Sequence, residues 1–168
     1  MTEQHRMISK TVEYVDPMLT AQLGMTMSGL DFISGMANGT VPPPPIAALM
    51  NMDVETVEPG RVVFGGTTDG SHYNGNGVVH GGFACTMLDT VIGCAVTSAL
   101  PAGQACTSIE LKVSFLKPLQ GGRRLLATGT VAKLGRRVAF AEATLATEDG
   151  TLVATASSSL MIFEPAVR

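Results

Sequence analysis

Asp89 is the only charged residue between Phe83 and Leu100. That stretch is apolar enough to be a buried helix, and a buried carboxylate without a partner either costs several kcal/mol or shifts its pKa upward. Such an acid is expected to do chemistry, or else to sit at the helix's one wet edge or on a structural hydrogen bond. Nine residues before it stands His80, followed by Gly81 and Gly82, where a polar loop gives way to the apolar run. A helix N-terminus offers free amide N–H groups and a partial positive charge, and glycine lets a substrate come close to the backbone. Donors fixed in advance are what an oxyanion needs. Taken alone, the tripeptide could equally be a tight turn, and His80 a structural histidine. Asn74 lies six residues before His80, and its amide can donate to a carbonyl or hold a water. Together these groups can orient an acyl carbonyl, receive its oxyanion, and attack it or activate water with a carboxylate. A thioester suits them well. Its leaving thiolate is a weak base, with a thiol pKa near ~8.5 if cysteine is the guide, so a strong general acid is not essential.

The elements that must hold these residues follow from the pattern around them. Gly82 to about Ala99 reads as one long helix, and Thr67 to Val78 as a Gly- and Asn-rich loop leading into it. Before the loop, Met52–Val57 and Arg61–Gly66 read as short strands joined by the turn Glu58-Pro59-Gly60. After Pro101-Ala102-Gly103, Ile109, Leu111, Val113 and Phe115 alternate with Glu110, Lys112 and Ser114, the signature of a half-buried strand that Pro118 ends. Arg124–Ala132, Arg136–Thr147 and Thr151–Phe163 are three further strands, the last two joined by a tight turn at Glu148-Asp149-Gly150. Two strands, a long helix and four more strands with short turns predict an α+β fold, one helix against one antiparallel sheet.

Residues 1–50 form a separate N-terminal extension, and 51–168 the main domain. Asp16 to Met36 is weakly helical, interrupted by Gly24, Gly29 and Gly35, and rich in methionine. Pro42 to Pro45 must be extended and cannot be a helix interior, so it reads as a strap onto the main domain. Methionine adapts to irregular apolar shapes, so this extension either packs over the main domain's flank or interface and shapes the acyl pocket, or serves plain core packing.

Of the 168 residues, 45% are hydrophobic and 15% charged, a low charge density that points to a subunit interface. The net charge is −3, and no Lys or Arg occurs from Thr11 to Gly60 while six acids do, which argues against nucleic acid. The three cysteines, Cys85, Cys94 and Cys106, form no CxxC pair. Cys85 and Cys94 fall on opposite faces of one helix. This odd count, with no basic-then-apolar leader, fits a reducing cytoplasm. A charge at the middle of the apolar run favours a core helix over a membrane span.

Asn74, His80-Gly81-Gly82, Asp89, the strand from Ser108 to Phe115 and Pro118 resemble, as a spaced set, the PaaI-type acyl-CoA thioesterases of the hotdog superfamily. The resemblance covers roughly Met52 to Phe163. It implies a hotdog fold, a long central helix wrapped by a curved antiparallel sheet. It implies dimers joined through their sheet edges, commonly paired into homotetramers, with active sites at the dimer interface. Gly81 would supply the oxyanion N–H, Asn74 would orient the thioester or water, and His80 would support the loop. Asp89 from the other subunit would be base or nucleophile, and Ser108 would help hold the attacking water. Gly82 would line the substrate site, and Gly135, Arg136 and Arg137 at a strand hairpin would meet the CoA phosphates, with Lys117, Arg123 and Arg124 as lesser candidates. No metal or redox cofactor is implied; coenzyme A enters as part of the substrate. Two other readings stand beside this one: a hotdog protein that binds acyl-CoA without turning it over, and a thioester dehydratase, for which the order of histidine and acid is wrong.

Overall fold

The computed structural model describes residues 6–165. Three short helices come first: α1 (Pro17–Thr26), α2 (Gly29–Asn38) and α3 (Pro45–Leu49). Then follow β1 (Met52–Glu58), β2 (Arg61–Thr67), a single 3-10 turn at Gly70–His72, the long helix α4 (Gly81–Ser98), and β3 (Ala105–Phe115), β4 (Arg124–Leu134), β5 (Val138–Thr147) and β6 (Leu152–Phe163). The six strands make one antiparallel sheet in the order β1-β2-β4-β5-β6-β3, which wraps α4 as a hotdog fold. Apart from α3, which the sequence does not lead one to expect, strand and helix bounds match those read from the sequence to within a few residues.

One stripe of α4 makes the core. Phe83, Ala84, Met87, Leu88, Val91, Ile92, Ala95 and Val96 are all buried against the sheet. Each fully buried Leu, Ile or Val contributes about 1.5–3 kcal/mol relative to exposure. The opposite stripe carries Thr86, Asp89, Thr90, Gly93 and Thr97, small or polar residues that the core does not cover. The helix approaches β4 so closely that a Cβ on Gly129 would lie 2.5 Å from the Val91 carbonyl oxygen; only glycine fits there. By length and composition α4 could cross a membrane, but half of it is buried by the sheet that wraps it.

The N-terminal helices pack at the far end. α2 lies on β1 and on the C-terminal turn of α4, where Gly29 N–H donates to the Leu100 carbonyl at 3.1 Å. The proline run, expected to be extended from Pro42 to Pro45, gives way to a helix one residue earlier. Pro44 is the N-cap of α3 and Pro45 its first residue, where a missing N–H costs nothing.

Strand β3 departs from the simple alternation. Ser108 pairs with Leu160 and Glu110 with Ser159, so Ile109 is an extra residue in a β-bulge. Leu111 and Val113 pack against the core as the pattern predicts, but Ile109 is 60% exposed. The bulge resets the phase. It turns Ser108 toward α4 and Glu110 to the outer face, where Glu110 Oε1 accepts the Ser159 N–H at 2.7 Å.

Candidate active site

α4 runs antiparallel to β3, and the site residues lie along the gap between them. At the helix start, His80 is the N-cap, and its Nδ1 accepts the Gly82 N–H at 2.7 Å. This bond leaves Nδ1 without a proton and assigns the imidazole N–H to Nε2. The Phe83 N–H bonds back to the His80 carbonyl at 3.0 Å. Of the first three amides of α4, only the Gly81 N–H has no acceptor among the described residues. Gly81 lines a cleft of about 290 Å³ together with Val79, Ala84, Phe115, Leu119 and Val153 among others. A Cβ on Gly81 would lie 3.1 Å from the Phe115 ring, so a side chain at this position would press on that wall.

The loop before the helix is tightly bonded. Asn74 Oδ1 accepts the N–H groups of Asn76 at 2.8 Å and Val78 at 3.4 Å, which fixes which end of the amide is oxygen. The Nδ2 group has no acceptor among the described residues and is available to donate. His80 N–H donates to the His72 carbonyl at 2.7 Å, and Gly121 N–H to Tyr73 Oη at 2.9 Å.

Asp89 sits halfway along α4, on its uncovered stripe. It is exposed in the single protomer, not buried as an acid in an apolar helix is expected to be. The small residues around it leave the helix open on that side. Ser108 Oγ donates to Asp89 Oδ1 at 2.7 Å. The two residues share two adjoining clefts, one with Cys85, Thr86 and Ile109, the other with Cys94, Thr97 and Cys106. Eight residues at 1.5 Å each put Asp89 about 12 Å along the helix axis from Gly81. Within one protomer the carboxylate and the free amide therefore cannot meet on one carbonyl.

The sequence and the fold are similar to those of known proteins. The chain matches the family model described as the thioesterase superfamily over residues 76–154. The crystal structure of a phenylacetic acid degradation-related protein from Ralstonia eutropha JMP134, named as a thioesterase, is 32% identical, covers 77% of this chain and 98% of its own, and superposes with a TM-score of 0.71. The chain belongs to the thioesterase superfamily. A Halobacterium salinarum protein named as an esterase is 42% identical over 83 residues, 48% of this chain and 54% of that protein. Human acyl-coenzyme A thioesterase 13 is 27% identical over 97 residues, 57% of this chain and 69% of its own. The chain spans about half the length of the first curated relatives it matches.

The superfamily match includes His80, Gly81, Asp89, Ser108 and the Gly135 hairpin but begins two residues after Asn74. Gly135–Arg137 is the β4–β5 hairpin, with Arg136 and Arg137 exposed at its tip. Ala139 pairs with Leu160, which pairs with Ser108. Two strand spacings place Ala139 roughly 10 Å from Ser108, and the hairpin lies two residues beyond it, toward Cys106. Gly82 lies beside the free Gly81 amide, but its own N–H is held by His80. Arg124 is engaged elsewhere, in ion pairs with Asp53 and Glu55 across β1 and β4.

Sequence reasoning missed that Cys94 and Cys106 share a cleft with Asp89. The Cys106 thiol stands 3.4 Å from Thr97 Oγ1, and all three cysteines are free. Burial pushes the Cys94 thiol up to about 12, with smaller contributions from Cys106 and Asp89. The antiparallel course of α4 against β3, once known, brings these residues together; spacing along the chain does not.

Proposed function

We propose that this chain hydrolyses acyl-CoA thioesters to the free acid and coenzyme A at sites shared between two copies. The observation that carries this reading is the single unbonded amide at the start of α4, set about 12 Å from the one carboxylate on its open face. Each is half of an acyl-transfer site, and the two halves need a second protomer to meet.

The sheet supplies a way. β3 is an edge strand of eleven residues, with Ile109 and Phe115 exposed along it and Leu116 exposed just past its end. A bare, apolar edge of this length invites pairing with another strand. Two β3 strands pairing antiparallel about a two-fold axis between Leu111 and Lys112 set Ser108 of one opposite Phe115 of the other. Phe115 touches Gly81 and Ser108 touches Asp89, so this register brings each carboxylate toward the other copy's free amide. Pairing of such dimers into a homotetramer is part of the same proposal.

In the reaction, the Gly81 N–H donates to the thioester carbonyl oxygen and stabilises the negative charge that develops there. Asn74 Nδ2 orients the carbonyl or the water. Asp89, steadied by Ser108, takes a proton from water as the hydroxyl adds to the carbonyl carbon, or adds directly as nucleophile, with water then cleaving the anhydride. The C–S bond breaks, the thiolate leaves, and it collects the proton. His80 holds the first turn in shape, while Arg136 and Arg137 meet the CoA phosphates. Side chains, backbone and water suffice for each step.

The test is thiol release from short, medium and aryl acyl-CoAs by wild type and Asp89→Asn. A folded Asp89→Asn variant slower by two or more orders of magnitude supports the carboxylate role. Binding without thiol release points instead to a non-catalytic acyl-CoA-binding protein.

A further inference from the structure

We propose that Asp69 and His72 are positioning residues for this reaction, a relay outside the site that fixes where the Gly81 N–H points. The inference rests on the thioesterase reading for its kinetic consequence only.

The relay can be followed bond by bond. Asp69 caps the 3-10 turn Gly70–His72, with Oδ1 accepting the Ser71 N–H at 2.8 Å and the Ser71 hydroxyl at 2.5 Å. Its Oδ2 accepts from Asn51 Nδ2 and Lys10 Nζ, each at 2.9 Å. Lys10 Nζ also donates to the Leu49 carbonyl at 3.0 Å. Three segments distant in sequence therefore converge on one carboxylate: the N-terminal arm, the turn into β1 and the site loop. Partial burial alone would raise the Asp69 pKa. The bonds from Ser71, Lys10 and Asn51 override it and hold the carboxyl far below the usual range, so the anchor stays ionised.

His72 closes the other half of the cap. Its Nδ1 accepts the Asp69 N–H at 3.0 Å. Nδ1 is thus unprotonated, and its 3.6 Å approach to Asp69 Oδ1 is not an ion pair. The His72 carbonyl, aimed by this turn, receives the His80 N–H at 2.7 Å. His80 Nδ1 in turn holds the Gly82 N–H, which leaves the Gly81 amide as the free donor. The His72 ring also lies 4.7 Å from that of Phe83, in the first turn of α4. Every link from Asp69 to the oxyanion amide is a direct hydrogen bond or a neighbouring residue.

One feature separates positioning from packing. The side chain of His72 is only 6% exposed, yet its Nε2 is buried with no partner among the described residues. A buried polar atom left unsatisfied is a cost, and an apolar side chain of similar size would remove it. A leucine would remove that cost and in exchange leave the Asp69 N–H without its acceptor, so the two effects on stability offset. The acceptor at Nδ1 is what leucine lacks and what the relay uses.

The experiment uses the full-length chain with 15N-labelled glycine, comparing wild type, His72→Leu, His72→Asn and Asp69→Ala. Asparagine carries its Oδ1 where the histidine carries Nδ1 and restores the acceptor. His72→Leu is expected to keep the wild-type Tm. Its Gly82 amide should exchange at least tenfold faster and the Gly81 resonance should move. With acyl-CoA, kcat should fall at least about tenfold with KM within twofold, because a displaced oxyanion donor harms the transition state more than binding. Asp69→Ala should show the same split, and His72→Asn should recover most of both readouts. Unchanged Gly82 exchange and unchanged kcat in folded His72→Leu would overturn the relay, as would a lower Tm without either effect. If wild type releases no thiol, the thioesterase reading fails, while Gly82 exchange still decides the relay.

Discussion

Ser108 Oγ donates to Asp89 Oδ1 across 2.7 Å, from strand β3 to the uncovered face of α4. This single bond fixes one carboxylate oxygen and leaves Oδ2 without a partner among the described residues. It also depends on the bulge at Ile109, which turns Ser108 inward while Glu110 faces out.

Removing this hydroxyl should weaken catalysis without abolishing it. Ser108→Ala leaves the charge of Asp89 intact but lets the carboxylate rotate. A kcat loss of roughly tenfold is expected, the cost of one neutral–charged hydrogen bond used for orientation. Asp89→Asn should lose at least ten times more. Steady-state kinetics of the two variants on the same acyl-CoA checks the ranking, and equal losses would mean the hydroxyl does more than orient.

The cysteines give a prediction that needs no substrate. Burial raises the Cys94 thiol to about 12 against 9.0 for an ordinary cysteine, and Cys106 is raised as well. The thiolate is the reactive form. At pH 8 the native protein should therefore label at Cys94 at least two orders of magnitude more slowly than the urea-unfolded chain, read by mass spectrometry after alkylation. The stability link has a definite sign. A folded pKa above the unfolded one contributes stability that is whole below about 9 and is lost as pH rises toward about 12. Urea midpoints should accordingly fall through that alkaline window, and Cys94→Ala should flatten the fall.

Much of this was readable from residue order. The strand–strand–helix–strand pattern, the Asn74, His80-Gly81-Gly82 and Asp89 spacing, and the hairpin at Gly135 all depend on local periodicity and turn chemistry, which sequence displays directly. The bulge did not announce itself, because Ile109 continues the alternation of Leu111 and Val113 perfectly; only pairing with β6 reveals the extra residue. The exposure of Asp89 was hidden for a similar reason. Which face of α4 the sheet covers is decided by the sheet's order, with β3 at an edge. The relay through Asp69 and His72 was invisible because Lys10, Asn51 and Asp69 meet only in three dimensions.

The contact between α2 and α4 should be intolerant of any side chain at Gly29. A Cβ there would lie 1.7 Å from the Thr97 carbonyl oxygen, a backbone atom that cannot step aside. Gly29→Ala is expected to destabilise the fold by about 1–3 kcal/mol, the usual cost of overpacking, in spite of alanine's better helix propensity. Gly93→Ala, on the same helix system, meets nothing within 4 Å and should be neutral or slightly stabilising. Thermal or urea unfolding of both variants tests the contrast.

The shared site predicts rescue between two inactive variants. If each site takes Asp89 from one copy and the His80–Gly81 turn from the other, then Asp89→Asn and His80→Ala each spoil both sites of a homodimer. A mixed dimer of the two keeps one site in which both halves are wild type, and its other site carries both defects. Unfolding and refolding the variants together at equal ratio makes half of the dimers mixed, so activity should return to roughly a quarter of wild type. Thiol release before and after mixing, with native mass spectrometry to count the mixed dimers, measures this directly. A site built wholly within one protomer predicts the opposite result. Each copy would then carry its own defect into every dimer, and mixing would restore nothing.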